Sequence, residues 1–515
     1  MAPASERTWW WTFGALALLV AVAVIAPAYL PMVDWPQHGQ QVAALADLAL
    51  GRCEYAAIYR VNWLTPYWLG YLPATLLAFV LPVDLAMRLV LFAGLLALPL
   101  ATRLLLRELG GDGWWSFAAF AALFGANFDW GFFNFLVAAP LALLVAWLTV
   151  RQLRAPSPAR AAALALAGLG AFAGHAAAAA CAFLLSGALA LVVAAEIGLA
   201  SVARRILPLL VPALVALAWL AVVADWEPTA RDALRTGAGP LLRLAELPRL
   251  LTGLVDPWPA LAAMALLGAA LALGGLAPSP LPRRWLPLAV VLAVYTWAPN
   301  YLLGIAQVYP RLLVLLIPCA LLALSPRRGG RGEGGWRRWL VVGAVATIVA
   351  AHGARALAFA RESAGLREVL AAAPERERLL YLPLERESPR SLAPVYLHSG
   401  AWYPVGRCGV AAVSFASGGA YAPPVRFRPE SAPRLPSGFE WHPDRLRWEG
   451  VRGQFGLFLV RSTRPVAAPS LFGGAGRVEL LAQRGDWWLY RPLAVTGWPE
   501  ATGSHGGIGA PAAGP

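Results

Sequence analysis

Residues 9–30 read WWWTFGALALLVAVAVIAPAYL, an apolar run without a charged side chain. Its length matches the ~20 residues that an α-helix needs to cross the hydrocarbon core of a bilayer. Ala26-Pro27-Ala28 resembles the cleavage site of a signal peptide, but the run exceeds the roughly 7–15 apolar residues of such a signal. We therefore predict an uncleaved first membrane helix, which makes the chain an integral membrane protein.

The overall composition agrees with a chain that lies in lipid. Of its 515 residues, 59% are hydrophobic and 14% are charged, and the mean hydropathy is +0.60, which is too apolar for a soluble chain of this length. The 42 basic residues are all arginine, and the formal net charge is +14. The arginines cluster beside apolar runs and toward the C-terminus rather than in one basic stripe. We therefore expect them to orient helices and to contact membrane lipids, and we expect no nucleic-acid partner.

Apolar runs between Trp9 and Phe359 predict about eleven transmembrane helices. Several of the runs are short: 114–126, 161–174, 285–299 and 310–324. If the run at 65–82 lies along the outer surface as an interfacial helix, the arginine-rich connections all fall on the cytoplasmic side, as the positive-inside rule requires. If it crosses, several of them fall outside. We therefore predict a multi-pass protein of a bacterial inner (plasma) membrane, with a cytoplasmic N-terminus and a first periplasmic loop at 30–85.

The composition changes after the last apolar run, which predicts a domain boundary near residue 359. Residues 1–359 are the transmembrane domain. Residues 360–501 contain the short strand-like runs LLYLPL, FGLFLV, VELLAQ and WWLYRP, typical of a small α/β domain, and on this topology they lie in the periplasmic or extracellular space. The Gly/Ala/Pro-rich stretch 502–515 is expected to be disordered. The predicted fold class is a multi-span α-helical membrane protein with a small C-terminal extracytoplasmic α/β domain.

The four cysteines are of two kinds. Cys181 and Cys319 fall inside apolar runs, where a small buried residue is the expected role. Cys53 and Cys408 are both predicted outside the cytoplasm, where disulfides persist. We hypothesise that they pair and tie the C-terminal domain to the first external loop.

The first external loop begins with Asp34, the carboxylate best placed to act as a catalytic base. Residues 31–41, PMVDWPQHGQQ, place Asp34, His38 and Gln41 on one face of a helix that begins at Pro36. A carboxylate a few residues beyond the hydrocarbon can deprotonate an acceptor hydroxyl beside a lipid-anchored donor. The alternative is that Asp34 only caps the helix, and the two roles are compatible.

An uncleaved first helix, an outer loop opening with an acidic residue, many short spans and an external C-terminal domain resemble the GT-C class, the polyprenyl-phosphate-sugar-dependent membrane glycosyltransferases. The resemblance covers residues 9–324 and implies a GT-C-like fold. It implies that Asp34 is the base or orients the acceptor. It also extends to Arg88 in DLAMRL and to Arg311 in VYPRLLVLLIP, which we expect, with Arg60, to bind the donor phosphate.

Two features depart from the class. Many members carry a second acid beside the loop aspartate, whereas Asp34 is followed by Trp-Pro-Gln-His, and the best second carboxylate is Asp129 in ANFDWGFFNF. We therefore assign no metal, and a requirement for a divalent cation stays open. The lysine that some members use toward the lipid phosphate is absent, so an arginine must serve, and its planar fork suits a phosphate bidentately.

Three further residues, with His38 and Asp129, complete the predicted pocket. His175 in AFAGHAAAAACAF lies between two short apolar runs at the predicted outer surface; its alternative is a turn histidine at a wet interface. Tyr309 precedes Arg311 and is either a pocket residue or a membrane-belt aromatic. His398 in VYLHSGAWYPVGRC has aromatic neighbours suited to sugar stacking, although such aromatics are more often core.

These features predict an inverting glycosyltransferase that moves a sugar from a polyprenyl-phosphate-linked donor to a cell-envelope glycan, lipid or protein acceptor on the periplasmic side. No cofactor is required, because the polyprenyl phosphate is itself the leaving group. One alternative is a transporter or flippase for a lipid or small solute, disfavoured because the sequence has no convincing inverted repeat and few ionisable residues at mid-span depth. The other is a catalytically inactive GT-C-like scaffold.

Overall fold

The computed structural model describes residues 6–224, 239–302, 305–327, 335–417, 423–436, 438–466, 468–474 and 477–493. The predicted disordered stretch at 502–515 lies outside the described residues. The α-helices are α1 Glu6–Ile25, α2 Trp35–Ala49, α3 Trp68–Ala78, α4 Val83–Glu108, α5 Ala126–Asp129, α6 Phe133–Arg154, α7 Pro158–Gly174, α8 Ala176–Ile197, α9 Leu199–Arg205, α10 Leu210–Ala224, α11 Pro240–Thr252, α12 Pro257–Leu273, α13 Leu286–Trp297, α14 Val308–Arg311, α15 Leu313–Leu322, α16 Trp339–Glu362, α17 Ala364–Ala371, α18 Trp448–Val451 and α19 Ala468–Phe472.

The β-strands are shorter and lie mostly in the C-terminal domain. They are β1 Tyr59–Val61, β2 Leu276–Pro278, β3 Tyr301–Leu302, β4 Ile305–Ala306, β5 Leu324–Pro326, β6 Arg378–Pro383, β7 Val410–Ala411, β8 Val425–Phe427, β9 Leu457–Arg461, β10 Val478–Arg484 and β11 Trp487–Pro492.

The helices confirm a multi-span membrane protein. Within the described residues, α1, α4, α6, α8 and the segment Gly335–Ala371 are long and apolar enough to cross a bilayer, which gives five spans, or up to seven if the bent pairs Leu199–Arg205 with Leu207–Val222 and α11 with α12 each count as one. The four remaining predicted spans are shorter elements: residues Gly113–Ala122 form a 3₁₀ helix, and α7, α13 and α15 have 17, 12 and 10 residues. The number of about eleven spans stays a prediction.

The segment at 65–82 contains α3, which has 11 residues and so is roughly 16 Å long, about half the thickness of the hydrocarbon core. Its apolar side chains Leu72, Leu76 and Val80 are exposed, while Tyr71 and Ala74 are buried. A short helix with one buried and one exposed apolar face fits the interfacial position predicted from the sequence.

The first helix ends where its last carbonyl groups meet an arginine. Pro27 follows α1 and cannot continue the i to i−4 hydrogen-bond ladder. Arg88 donates to the carbonyl groups of Val24, Pro27 and Ala28 at 2.6, 2.8 and 3.3 Å, and it pairs with Asp84 at 2.6 Å. The buried guanidinium therefore satisfies the end of α1 and joins it to the start of α4.

The C-terminal domain is built on a five-stranded mixed sheet in the order β10-β11-β9-β6-β7. Strand β6 is parallel to β7 and β9, whereas β10, β11 and β9 are antiparallel neighbours. The central strands β6 and β9 are buried almost throughout, and α17 packs against one side of the sheet. The four strand-like runs predicted from the sequence are all strands, and the small α/β domain is confirmed.

Three connections hold this domain against the loop that follows α1. Cys53 and Cys408 form the hypothesised disulfide across 355 residues of sequence. Strand β1 pairs antiparallel with β8. The side chain of Gln41 accepts from the Val425 backbone N–H at 2.9 Å. The polypeptide after α1 and the C-terminal domain therefore form one continuous structure around α2.

A buried ion pair makes a fourth connection. Asp129, fully buried in α5, receives both outer nitrogens of Arg355 from α16 at 2.7 and 2.8 Å. It also accepts the Leu392 backbone N–H of the C-terminal domain at 2.9 Å. Burial raises the pKa of Asp129, and Arg355 acts in the opposite direction. The pair joins two helices to the C-terminal domain.

We expect Asp129→Asn to destabilise the protein by about 3–5 kcal/mol, because it leaves the buried Arg355 without its counter-charge. The double variant Asp129→Leu with Arg355→Leu should recover part of this loss, because no buried charge remains. Thermal unfolding in detergent, followed by tryptophan fluorescence, measures both effects. Equal midpoints for the wild type and the single variant would contradict the assigned role.

Candidate active site

A cavity of about 970 Å³ opens where α2, the start of α6, the junction of α7 and α8, α14 and the C-terminal domain meet. Five residues predicted from the sequence line it: Asp34, His38, His175, Arg311 and His398. Residues from four separate parts of the chain thus share one space, as the predicted pocket requires.

Asp34 occupies the N-cap position of α2, but its side chain makes no capping hydrogen bond. Its Oδ1 lies 3.0 Å from Nδ1 of His398. Its backbone N–H donates to the Trp130 carbonyl at 3.1 Å, an approach that Gly131 permits: this glycine has φ +76°, and a Cβ there would lie 2.7 Å from the Asp34 nitrogen. The capping interpretation is therefore wrong for the side chain, which lines the cavity.

His38 lies one turn further along α2 and is buried. Its Nδ1 is 2.6 Å from the hydroxyl of Tyr71 on α3. Burial lowers the pKa of His38 to about 4, although the nearby Asp34 carboxylate and a backbone hydrogen bond at Gly131 act to raise it. The ring is therefore neutral at pH 7 and is a weak base, so we assign it a hydrogen-bonding role in the cavity wall.

His175 sits between α7 and α8 and caps the second of these helices. Its Nδ1 accepts the Ala177 backbone N–H at 3.0 Å, so in the neutral ring Nε2 carries the proton and is a donor. Its ring packs edge-on against Tyr67, with centroids 5.1 Å apart. Burial lowers the pKa of His175 well below its ordinary value, and Arg311 lowers it further. His175 is thus a neutral donor at the cavity wall.

Arg311 is the only one of the five with a permanent positive charge. Its side chain lies over the Phe132 ring, 3.7 Å from the centroid, and one of its nitrogens donates to the Ala306 carbonyl at 3.2 Å. Its Nε and one outer nitrogen are enclosed without a hydrogen-bond partner, and no carboxylate of the described residues pairs with it.

An unpaired cation in such a place is costly. Breaking a buried ion pair typically costs about 3–5 kcal/mol because one charge is left uncompensated. Arginine presents its donors in a planar fork that matches a carboxylate or a phosphate. Arg311 lines the cavity and has no counter-charge among the described residues, so an anion that entered the cavity could supply the missing charge.

Four predicted site residues do not line this cavity. Arg88 is occupied by Asp84 and the end of α1, as described above. Arg60 is exposed on β1, opposite Arg426, so it lies at the surface of the β1–β8 pair. Neither arginine is placed beside the cavity to bind a donor phosphate there.

The other two residues have structural partners. Asp129 is enclosed by Arg355 and the Leu392 N–H, so it is not a second carboxylate in the cavity. Tyr309 packs edge-on against Tyr295, and the guanidinium of Arg243 lies over its ring, 4.0 Å from the centroid. Both were expected in the pocket because their positions beside polar loops are visible in sequence, whereas these partners lie far along the chain.

Other residues of the cavity were not singled out as site residues. Tyr67, directly before α3, and Tyr71 within α3 line the cavity. Phe415, Glu440 and Trp441 line it from the C-terminal domain. The i, i+4 spacing of the two tyrosines is a signal that they share a helix face, but no local signal shows that the domain closes over α2.

The described residues hold no group of three or more His, Cys, Asp or Glu side chains arranged to bind a metal ion. The charged and imidazole groups of the cavity are the Asp34–His398 pair, the neutral rings of His38 and His175, Arg311, and Glu440 on the side of the C-terminal domain.

No protein-family model matches the chain, and no curated protein matches it in sequence. Two solved structures are similar to it over nearly its whole length. ArnT from Cupriavidus metallidurans in the apo state is 13% identical, with a TM-score of 0.49, over 95% of this chain and 98% of that one. The arabinofuranosyltransferase AftD from Mycobacteria is 17% identical, also with a TM-score of 0.49, over 96% of this chain but only 40% of AftD. At these identities and TM-scores, neither likeness bears on what this chain does.

We expect Arg311→Gln to weaken the binding of polyprenyl phosphate by about 10- to 100-fold, because hydrogen bonds to a charged group contribute about 1.5–3 kcal/mol. Arg60→Gln, which removes an exposed arginine outside the cavity, is the matched control and should change binding by less than about twofold. Equilibrium binding in nanodiscs measures both. Equal losses in the two variants would show that binding reflects overall charge rather than this site.

The lowered pKa of His38 predicts a pH dependence of stability. The unfolded chain takes up a proton near the ordinary histidine pKa of 6.5, whereas the folded ring resists it down to about 4, so folding stability falls as the pH drops through this interval. His38→Gln should flatten the fall in the thermal midpoint between pH 7 and about pH 5. His442→Gln, at an exposed histidine, should leave it unchanged; the same slope for both variants would contradict the assignment.

Proposed function

We propose that the chain is a membrane glycosyltransferase that transfers a sugar from a polyprenyl-phosphate donor to an acceptor hydroxyl. The observation that carries the proposal is the unpaired Arg311 in the same cavity as the Asp34–His398 pair. A cation for a phosphate and a carboxylate–imidazole pair for a proton are the two elements that such a transfer requires.

Arg311 would bind the donor phosphate. When the bond between sugar and phosphate breaks, the negative charge on the phosphate increases, so a fixed guanidinium stabilises the departing group more than the intact donor. The aromatic ring of Phe132 and the burial of the side chain restrict its movement. Helices α3 and α7, with apolar exposed faces next to the cavity, would accommodate the polyprenyl chain in the bilayer.

The Asp34–His398 pair would activate the acceptor. The acceptor hydroxyl loses its proton to this pair, and its oxygen forms the new bond to the anomeric carbon. The bond from that carbon to the phosphate oxygen breaks, and polyprenyl phosphate leaves with the bonding electrons. Attack from the side opposite the phosphate inverts the anomeric centre. The reaction proposed in this way uses no cofactor.

The acceptor would enter from the side of the C-terminal domain. Ser414, Glu440 and Trp441 line this part of the cavity, and Trp441 is 40% exposed. Hydroxyl, carboxylate and indole groups are suited to a polyhydroxylated molecule. A glycan, a glycolipid or a glycosylated protein of the cell envelope fits this chemistry.

The distribution of arginine supports placing the cavity on the periplasmic side of an inner membrane. The cavity lies near the N-terminal end of α4, where Asp84 bonds to Trp35. Six arginines gather around the opposite end of α4 and the turn after it: Arg103, Arg107, Arg151, Arg154, Arg284 and Arg338. Arginine-rich ends of membrane helices favour the cytoplasm, and the Cys53–Cys408 disulfide favours an oxidising compartment for the other end.

We expect Asp34→Asn to lower the release of polyprenyl phosphate from a polyprenyl-phosphate-sugar by about 10²–10⁴-fold while donor binding persists, because base catalysis contributes about that factor. The assay uses purified protein in nanodiscs with crude envelope acceptors. The control is Asp47→Asn, which removes a carboxylate outside the cavity and should retain activity. Asp84→Asn is unsuitable as a control because it would also break the ion pair with Arg88.

Other outcomes would point to the alternative functions. Donor binding without release by the wild type would contradict the transferase and favour an inactive scaffold or a lipid carrier. Absence of donor binding would contradict both and favour transport of another solute.

A further inference from the structure

His398 uses one ring nitrogen to bind Asp34 and has the other free. Nδ1 lies 3.0 Å from the Asp34 carboxylate, which can only accept, so Nδ1 carries a proton. Nε2 has no hydrogen-bond partner among the described residues and is not among their enclosed unpaired atoms. Because the ring lines the cavity, we infer that the free lone pair on Nε2 faces the space where an acceptor would bind.

The ring is held in this orientation by both of its neighbouring segments. Leu397 is buried, and the 3₁₀ helix Ser399–Trp402 packs on α2 at Gly39, where a Cβ would lie 2.8 Å from the Trp402 ring. On the other side, the Phe415 ring stands edge-on to His398, with centroids 5.9 Å apart. A side chain fixed by packing and by one hydrogen bond meets the requirement for preorganised proton transfer.

Gln37 fixes the segment that carries Phe415. Its side-chain nitrogen donates to the Val413 carbonyl at 3.1 Å, and its side-chain oxygen accepts the Phe415 backbone N–H at 2.9 Å. Helix α2 therefore positions both members of the pair: it begins directly after Asp34, and through Gln37 it holds the wall behind His398.

The charged and titratable groups around His398 separate its role from those of the other two histidines. Asp34 lies in contact, and His38 and Arg311 act on the same site from α2 and α14. His38 and His175 are neutral rings, each with Nδ1 bonded elsewhere and with a pKa lowered by burial. Of the three cavity histidines, His398 is the one whose ring contacts a carboxylate.

We propose that Nε2 of His398, rather than the Asp34 carboxylate, accepts the acceptor proton. This inference rests on the proposed transferase function. The O–H bond of the acceptor breaks and its proton passes to Nε2, while the oxygen bonds to the anomeric carbon and polyprenyl phosphate departs with its electron pair. Asp34 stays ionised, holds the Nδ1–H tautomer and stabilises the imidazolium. The C-terminal domain thereby supplies the base, and Asp34 is a positioning residue.

The test is chemical rescue of full-length His398→Ala in nanodiscs, with release of polyprenyl phosphate as the readout. We expect the variant to lose about 10²–10⁴-fold in kcat with little change in KM, and added imidazole to restore at least about tenfold of the loss, because a free base can occupy the vacated space. His442→Ala, an exposed histidine of the same domain, is the matched control and should show neither loss nor rescue.

Loss without rescue in a protein that keeps its wild-type thermal midpoint would overturn the base role and leave His398 a positioning residue for Asp34. Retention of more than about a tenth of the activity would overturn it as well. A wild type that releases no polyprenyl phosphate would refute the proposed function itself.

Carbethoxylation tests the geometry of His398 separately from activity. The proposal requires rapid modification of His398 at the unprotonated Nε2. Modification should be slower in Asp34→Asn, because the amide group donates to Nδ1 and the ring proton moves to Nε2.

Discussion

A buried guanidinium without a counter-ion determines the character of the cavity. Arg311 rests on an aromatic ring, donates once to the backbone and keeps two enclosed nitrogens unpaired. Elsewhere in the described chain, buried arginines such as Arg88 and Arg355 are matched by carboxylates or carbonyl groups. The exception lies where an open space and a carboxylate–imidazole pair adjoin, and binding of an anion from outside the chain would provide the missing compensation.

The second constraint is the closure of the C-terminal domain over α2. The disulfide, the β1–β8 pairing and the glutamines of α2 join this domain to the loop that follows α1, and the Asp129–Arg355 pair joins it to α5 and α16. Each is a long-range contact, and together they bring His398 to Asp34 across 364 residues of sequence. The domain thus forms one wall of the cavity and contributes His398 to it. These contacts together fix the position of the domain over α2.

Local sequence patterns predicted the secondary-structure elements well, but they predicted poorly which residues the charged side chains would contact. Short strand-like runs predicted four strands, and Pro36 predicted the start of α2 to within one residue. The roles of Arg88 and Asp129 differ from prediction because their partners are set by packing: Asp84 at i, i+4 was a visible clue for Arg88, whereas Arg355 lies 226 residues from Asp129. Short elements such as α13 explain why a count of spans from hydropathy alone is uncertain by several helices.

The most direct measurement is a cryo-EM structure of the protein with a polyprenyl-phosphate-sugar bound. The account predicts phosphate oxygens within about 3 Å of the Arg311 nitrogens and the anomeric carbon facing the Asp34–His398 pair. Phosphate density at the arginines around the far end of α4, with the Arg311 cavity empty, would contradict it.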